Sequence, residues 1–363
     1  MKQRAIQPEK IKRVVVRGAN WVGDAVMTVP ALRELRRVLP RARVTLATRA
    51  WAEGIFAGAD FIDDVLVTDG GSGGTRAAFA EARAWRARRF DLALLFPNAF
   101  AHALVARAAR IPHRVGYATD GRALLLTHPL PLPGWRGHRH EVFDYLNIVS
   151  QLERLLCGTH AEVVGEPSVT LTVSDERRLA ARELLRGEGV DFDRPVVALC
   201  PGSTNSRAKR WPAKYYAALA DLLAERDAAQ VVLVGAKEES DVSAEVAGLM
   251  KSRPFVLTGR TSLAETSAVL CVVDLLVTND TGPAHVAAAV GCRVLVIFGP
   301  TNPITTRPFS PLAEVVRRPP FCAPCMLRDC PIDHRCMTAV TPEEVYERAA
   351  QHVASRRVAE VAQ

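Results

Sequence analysis

The segment RVVVRGANWVGDAV, residues 13–26, decides how the chain is read. Arg13–Arg17 is a valine-rich run that suits a buried strand. A loop with glycines at both ends follows, from Gly18 to Gly23. Apolar residues at helical spacing then run from Asp24 to Leu39 and stop at Pro40. Working outward, the same strand–loop–helix unit recurs. Residues 43–48, 64–67, 91–96 and 114–117 read as strands. Residues 50–57, an arginine-studded stretch up to Arg89, residues 99–110 and residues 141–156 read as helices, and a glycine-rich loop covers 69–74. In the second half, strands are predicted at 196–200, 230–234, 255–258, 274–278 and 293–298. Helices open at Ser174, Pro212, Glu238, Leu263 and Thr281 or Gly282, and a last one covers 341–361. Strands alternating with helices imply parallel sheets covered on both faces. The expected architecture is α/β, with two Rossmann-like domains at 1–170 and 171–340 and a C-terminal helix at 341–363.

Composition narrows the class. Of 363 residues, 48% are apolar and 24% charged, which suits a globular chain and excludes disordered, collagenous and disulfide-scaffold readings. No apolar run approaches the ~18 residues that span a bilayer. The short apolar stretch near the start, Ile11 to Val16, is interrupted by Lys12 and Arg13, so a cytoplasmic location is expected. The net charge of +8 is unevenly placed. Residues 1–172 hold 24 lysines and arginines against 16 acidic residues, while the remainder holds 23 of each. A basic half points to an anionic partner: nucleic acid, a phospholipid headgroup or an acidic glycan.

Neither a dinucleotide fingerprint nor a phosphate-cradling lysine loop is present, which disfavours a dehydrogenase. The loop Gly18–Gly23 has the right glycine spacing, but Asp24 stands where a lysine would. A carboxylate there repels phosphate. At a helix N-terminus it serves either as a cap or as a general base. Pro201-Gly-Ser203-Thr204 ends an apolar strand and leads to Lys209, offering close backbone approach, hydroxyls and a point charge for phosphate. Asn279-Asp280-Thr281-Gly282-Pro-Ala-His285 ends another strand and opens a helix, a position suited to a pyrophosphate. Glu238 and Glu239 follow a third strand, where an acid can accept hydrogen bonds from a ribose. Asp191-Phe-Asp193 has the form of a metal-binding pair but lies in a turn before Pro195 and is set aside.

Eight cysteines divide into two groups. Cys157, Cys200, Cys271 and Cys292 are scattered and expected to be small buried hydrophobes. Cys322, Cys325, Cys330 and Cys336 fall within 15 residues, with His334 among them. Structural zinc and reduced structural thiols are both compatible with that spacing.

Taken together, Trp21-Val-Gly-Asp24, Phe96-Pro-Asn98-Ala-Phe100, Ile111-Pro-His-Arg-Val-Gly116, Pro201-Gly-Ser203, Lys209-Arg-Trp-Pro212, Asn279–His285 and the cysteine segment resemble the lipopolysaccharide heptosyltransferases of glycosyltransferase family 9. The resemblance implies the GT-B fold, with two Rossmann-like domains facing a cleft. It implies inverting transfer of L-glycero-D-manno-heptose from ADP-heptose, with ADP-heptose as substrate and no cofactor. Asp24 matches the catalytic base. Lys209, Thr281 and Gly282 match the diphosphate site, and Asp280 matches an acid near the heptose. Ser203, Thr204, Glu239 and His285 complete the expected donor set. Trp21, Asn98 and Arg114 are expected to meet the acceptor, with Arg17, Arg122, Arg136 and Arg139 as further candidate contacts. Trp21 and the cysteines favour the branch that adds a second heptose to heptosyl-Kdo2-lipid A. Such an acceptor is anionic and implies peripheral contact with the cytoplasmic face of the inner membrane, without nucleic acid. The competing expectations are a first-heptose or other nucleotide-sugar transferase, and a non-catalytic nucleotide-sugar- or RNA-binding protein.

Overall fold

The computed structural model describes residues 6–68, 74–158 and 166–361, with side chains up to residue 354. The predicted glycine-rich loop lies mostly outside the described residues. The chain divides into two units, Met1–Val169 and Thr170–Gln363.

In unit 1 the strands are β1 (Arg13–Arg17), β2 (Arg43–Thr48), β3 (Asp64–Val67), β4 (Leu92–Leu95), β5 (His113–Tyr117) and β6 (His128–Leu130). They form one parallel sheet in the order β3-β2-β1-β4-β5-β6. Val14, Val15 and Val16 of the central strand are wholly buried, as expected for a strand covered on both faces. Its entry is tied down by Asp91, just before β4, whose Oδ2 accepts the backbone N–H groups of Lys12 and Arg13, each at 2.9 Å. The helix predicted from Asp24 to Leu39 is two helices, Val22–Met27 and Val29–Val38, with Thr28 between them. The Thr28 hydroxyl donates back to the Ala25 carbonyl, a bond that competes with helical continuation.

In unit 2 the strands are β7 (Val196–Cys200), β8 (Gln230–Leu233), β9 (Phe255–Val256), β10 (Leu275–Asn279), β11 (Val294–Ile297) and β12 (Ala313–Val316). Their order is β12-β11-β10-β7-β8-β9, again all parallel. Counted from its own first strand, each sheet therefore runs 3-2-1-4-5-6, the Rossmann order. The sixth strand of each unit was not anticipated from the sequence. Ser174 caps its helix by accepting from Arg177 N, and Ser262 with Glu265 forms a capping box.

The core of unit 2 includes its last helix, Pro342–Val361: Val345, Ala349 and Val353 pack with Val197, Leu199, Leu295 and Trp211. Arg348 and His352 of that helix hold Glu314 of β12. The Trp211 indole N–H donates to the Val340 carbonyl at 2.8 Å. Of the scattered cysteines, Cys200 and Cys292 are buried and Cys271 is half-buried. Cys157 is exposed, because it occupies the last position of its helix before Gly158.

Candidate functional site

In the order 3-2-1-4-5-6 the strand connections reverse direction between the first and fourth strands, and ligands gather at the carboxyl ends there. Both units place their polar loops at that point.

In unit 1 the loops after β1 and β4 line a pocket of about 310 Å³. Trp21 and Asp24 come from the first loop, and Phe96, Pro97 and Asn98 from the second. Trp21 is the N-cap of the helix Val22–Met27 and is 55% exposed. Asp24 lies in that helix's first turn, where the backbone N–H groups favour a carboxylate. Arg136, Glu141, Asp144 and Tyr145 also line the pocket. Arg136 is committed to Asp144 at 2.8 Å, and Tyr117 OH donates to the Asp144 carbonyl at 2.8 Å. Burial, with added repulsion from Asp24, Glu141 and Asp144, raises the Tyr145 phenol well above its ordinary pKa, so it stays protonated. Three carboxylates against one paired arginine make a surface suited to sugar hydroxyls.

The arginines expected at the acceptor are distributed otherwise. Arg17 is fully buried and is held by Ala47 O, Thr68, Asn20 and Glu81. Arg122 is also fully buried. It donates to the carbonyls of Tyr117 and Pro97 and to Asn98 Oδ1 at 3.1 Å, so it orients the pocket residue Asn98. Arg114 is spent on the carbonyls of Leu125 and Ile111 and does not line the pocket. Arg139 is exposed and stacks over Phe143, 3.5 Å from the ring centre. Glu141, Asp144 and Tyr145 were missed. Their only signal is a run of two acids and a phenol at a helix start, following the basic Arg136–His140.

In unit 2 the loops after β7 and β10 meet through one ion pair. Lys209 Nζ lies 2.8 Å from Asp280 Oδ2 and 3.2 Å from the Asp280 carbonyl. Thr301, after β11, donates to the same Oδ2 at 2.7 Å. Asn279 braces this junction: its Nδ2 donates to the carbonyls of Pro201 and Gly202, and its Oδ1 accepts from Trp211 N and Tyr216 OH. Thr281 occupies the N-cap position of the helix Gly282–Ala289 without a side-chain cap bond, and its hydroxyl pairs with that of Thr278 at 3.2 Å. Ser203 and His285 are buried beside these loops, whereas Thr204 is exposed.

The two candidate glutamates separate clearly. Glu238 is exposed. Glu239 is 6% exposed, accepts from Ala236 N at 3.0 Å and Thr204 Oγ1 at 3.2 Å, and lies against Gly202 and Gly235. A Cβ at Gly202 would sit 2.2 Å from Glu239 Cδ, so only glycine admits the carboxylate here. Lys209, Asp280, Thr281 and Glu239 thus share one end of the second sheet.

The four clustered cysteines are free thiols. Burial pushes the Cys336 thiol up to about 11, and the neighbouring Cys330, Cys325 and Cys322 add to the shift. Among the described residues no group of three His, Cys, Asp or Glu side chains could hold a metal ion. No helix among them is long and apolar enough to cross a membrane.

Comparison with known proteins adds an independent line. Residues 78–335 match the family described as Glycosyltransferase family 9 (heptosyltransferase). Lipopolysaccharide heptosyltransferase 2 of Escherichia coli K12 is 28% identical over 328 residues, covering 84% of this chain and 88% of that protein. The solved structure of the E. coli ADP-heptose LPS heptosyltransferase II superposes with a TM-score of 0.79 and 26% identity, covering 95% of this chain and 99% of that one. A family 9 glycosyltransferase from Veillonella parvula shares the fold at a TM-score of 0.81 and 22% identity, covering 97% and 99%.

Proposed function

The chain belongs to glycosyltransferase family 9, and on that premise we propose that it is a second-heptose transferase, moving L-glycero-D-manno-heptose from ADP-heptose to the heptose of the lipopolysaccharide inner core with inversion. The observation that carries the donor half is the Lys209–Asp280 pair between the loops after β7 and β10. A diphosphate entering there meets an ammonium already held in position and the N-terminal amides of the helix Gly282–Ala289. As the bond from the anomeric carbon to the diphosphate oxygen breaks, ADP gains charge. A fixed lysine and fixed amides stabilise that charge in the transition state. Glu239 accepts from the ribose hydroxyls, Ser203 and Thr204 line the approach to the phosphates, and Asp280 and His285 bound the sugar side. ADP-heptose is substrate, and the reading calls for no cofactor.

Unit 1 supplies the base. In a single displacement the acceptor hydroxyl oxygen bonds to the anomeric carbon, ADP leaves, and the hydroxyl proton passes to Asp24. Trp21 offers an apolar face against a sugar ring, and Asn98, oriented by Arg122, a polar contact. The carboxylate-lined pocket supports a sugar here and speaks against nucleic acid. The anionic groups of heptosyl-Kdo2-lipid A then fall to exposed arginines such as Arg139, with the protein peripheral at the cytoplasmic face of the inner membrane.

The test is a transfer assay with ADP-heptose and two acceptors, Kdo2-lipid A and its mono-heptosylated form, read by product mass. A gain of one heptose on the second acceptor only is expected. A gain on bare Kdo2-lipid A would reassign the protein to the first heptose, and no gain on either would refute the transfer.

A further inference from the structure

The cysteine-bearing segment between β12 and the last helix does more than fill the surface. It grips the short turn Arg207–Lys209 from several directions. Ala208 N donates to the Arg328 carbonyl at 2.9 Å. The Ala208 carbonyl accepts from His334 Nε2. Ser206 Oγ donates to the Arg328 carbonyl at 3.1 Å, and Arg207 pairs with Asp329 at 2.6 Å. Both backbone groups of Ala208, the residue before Lys209, are therefore held by one distant segment.

That segment is itself anchored next to the lysine's partner. Met326 N donates to the Pro300 carbonyl at 2.8 Å, and the next residue, Thr301, donates to Asp280 Oδ2. The contacts close a circuit from Asp280 through Lys209, Ala208, the 326–334 segment and Pro300 back to Asp280. Within it His334 has φ +58°, in the left-handed region, while its N–H donates to Cys330 Sγ at 3.3 Å. A non-glycine residue keeps such a conformation where its surroundings over-determine it. Here the result is a ring delivered to the Ala208 carbonyl.

We propose that His334 is a positioning residue for donor binding: by holding the Ala208 carbonyl it fixes the turn from which Lys209 reaches the diphosphate. The proposal rests on the donor reading above and adds a residue that acts through Lys209 and not on the substrate. A hydrogen bond of this kind sets the scale of its effect.

The experiment measures ADP binding by titration calorimetry, and the donor KM and kcat, in the full chain. His334→Ala should weaken ADP roughly five- to tenfold, the worth of about one hydrogen bond. It should raise the donor KM more than it lowers kcat. His334→Gln, whose amide can donate in place of Nε2, should recover most of the loss. In a Lys209→Ala background, His334→Ala should have no further effect on ADP affinity, because the element it positions is gone. If His334→Ala does not fold, Ser206→Ala tests the same grip, with a smaller loss that also vanishes without Lys209. Unchanged ADP affinity in the single variants, or an equal loss with and without Lys209, would overturn the proposal and leave the donor reading standing. A folded wild-type protein that binds no ADP would remove the donor reading, and the role of His334 with it.

Discussion

The two units share a strand order and a construction detail, yet their working ends differ in chemistry. In unit 1, Asp91 Oδ2 accepts the N–H groups at the entry to β1, and Asp91 N donates to the Arg13 carbonyl. In unit 2, Asp274 Oδ2 accepts Val196 N at 2.7 Å, and Asp274 N donates to the Val196 carbonyl. Each aspartate precedes the fourth strand of its sheet and pins the first. The ligand-receiving ends of the two sheets carry different groups. Unit 1 presents Asp24, Glu141 and Asp144 with Trp21, Phe96 and Tyr145. Unit 2 presents a lysine paired with Asp280, hydroxyls, and glycines that admit Glu239. Topology fixes where a ligand is received, and the polar groups gathered at that end of each sheet fix which ligand.

That division is open to direct attack. The largest effect is expected for Asp24→Asn, which should lower kcat by roughly 10²–10⁴, the range for a lost general base. Its ADP affinity should stay at the wild-type value, and a parallel loss would show that the roles are not divided between the units. Lys209→Ala should do the reverse in kind, weakening ADP and lowering transfer by roughly 10²–10³, as for a lost charge-stabilising group. Acceptor binding should survive it.

The pinning aspartates test the shared frame. Asp91→Ala removes the acceptor of exposed N–H groups at the entry to β1 and should cost about 0.5–1.5 kcal/mol, and Asp274→Ala, whose bond to Val196 N is part-buried, about 1–3 kcal/mol. Thermal unfolding should show each variant lowering the stability of its own unit.

Acid separates the units as well. Burial, and then the charges of Arg17 and Arg122, lower His102 from 6.5 to about 3 in the folded protein. The unfolded chain takes up this proton first as pH falls. Stability from the neutral ring is thus whole above pH 6.5 and drains away toward pH 3. The slope is about 1.4 kcal/mol per pH unit for one proton. His102→Gln should flatten that part of the acid-unfolding curve of unit 1.

Much of this was legible in the residues. The apolar strands stand out by length and valine content, and Asp24, Lys209, Glu239 and Asp280 stand out as polar groups where such strands end. The sixth strand of each sheet did not. β6 is His128-Pro-Leu130, and a proline there is tolerated only because the strand lies at an edge. β12 is four residues with Glu314 inside and is only partly buried. Neither has a periodicity to detect. Arg17 and Arg122 misled for another reason: charge reads as exposure, yet both are buried and satisfied by carbonyls and side chains. Part of the unit 1 pocket lining comes from Glu141–Tyr145, more than a hundred residues after Asp24, and only tertiary folding brings them together.

The place of the last helix in the second core bears on the order of events during synthesis. Val345, Ala349 and Val353 are core residues of unit 2, and the Trp211 indole waits on the Val340 carbonyl. Among the described residues, unit 1 has its strands and covering helices in hand by residue 158. A ribosome therefore releases a sheet that can fold at once, and then one that stays unfinished until residue 353 has emerged. Trp211 lies two residues after Lys209, so the lysine's turn is among the last parts of the molecule to set. Chaperones that meet the nascent chain will find the second sheet open for most of its translation, and stalled or shortened products should fail there first.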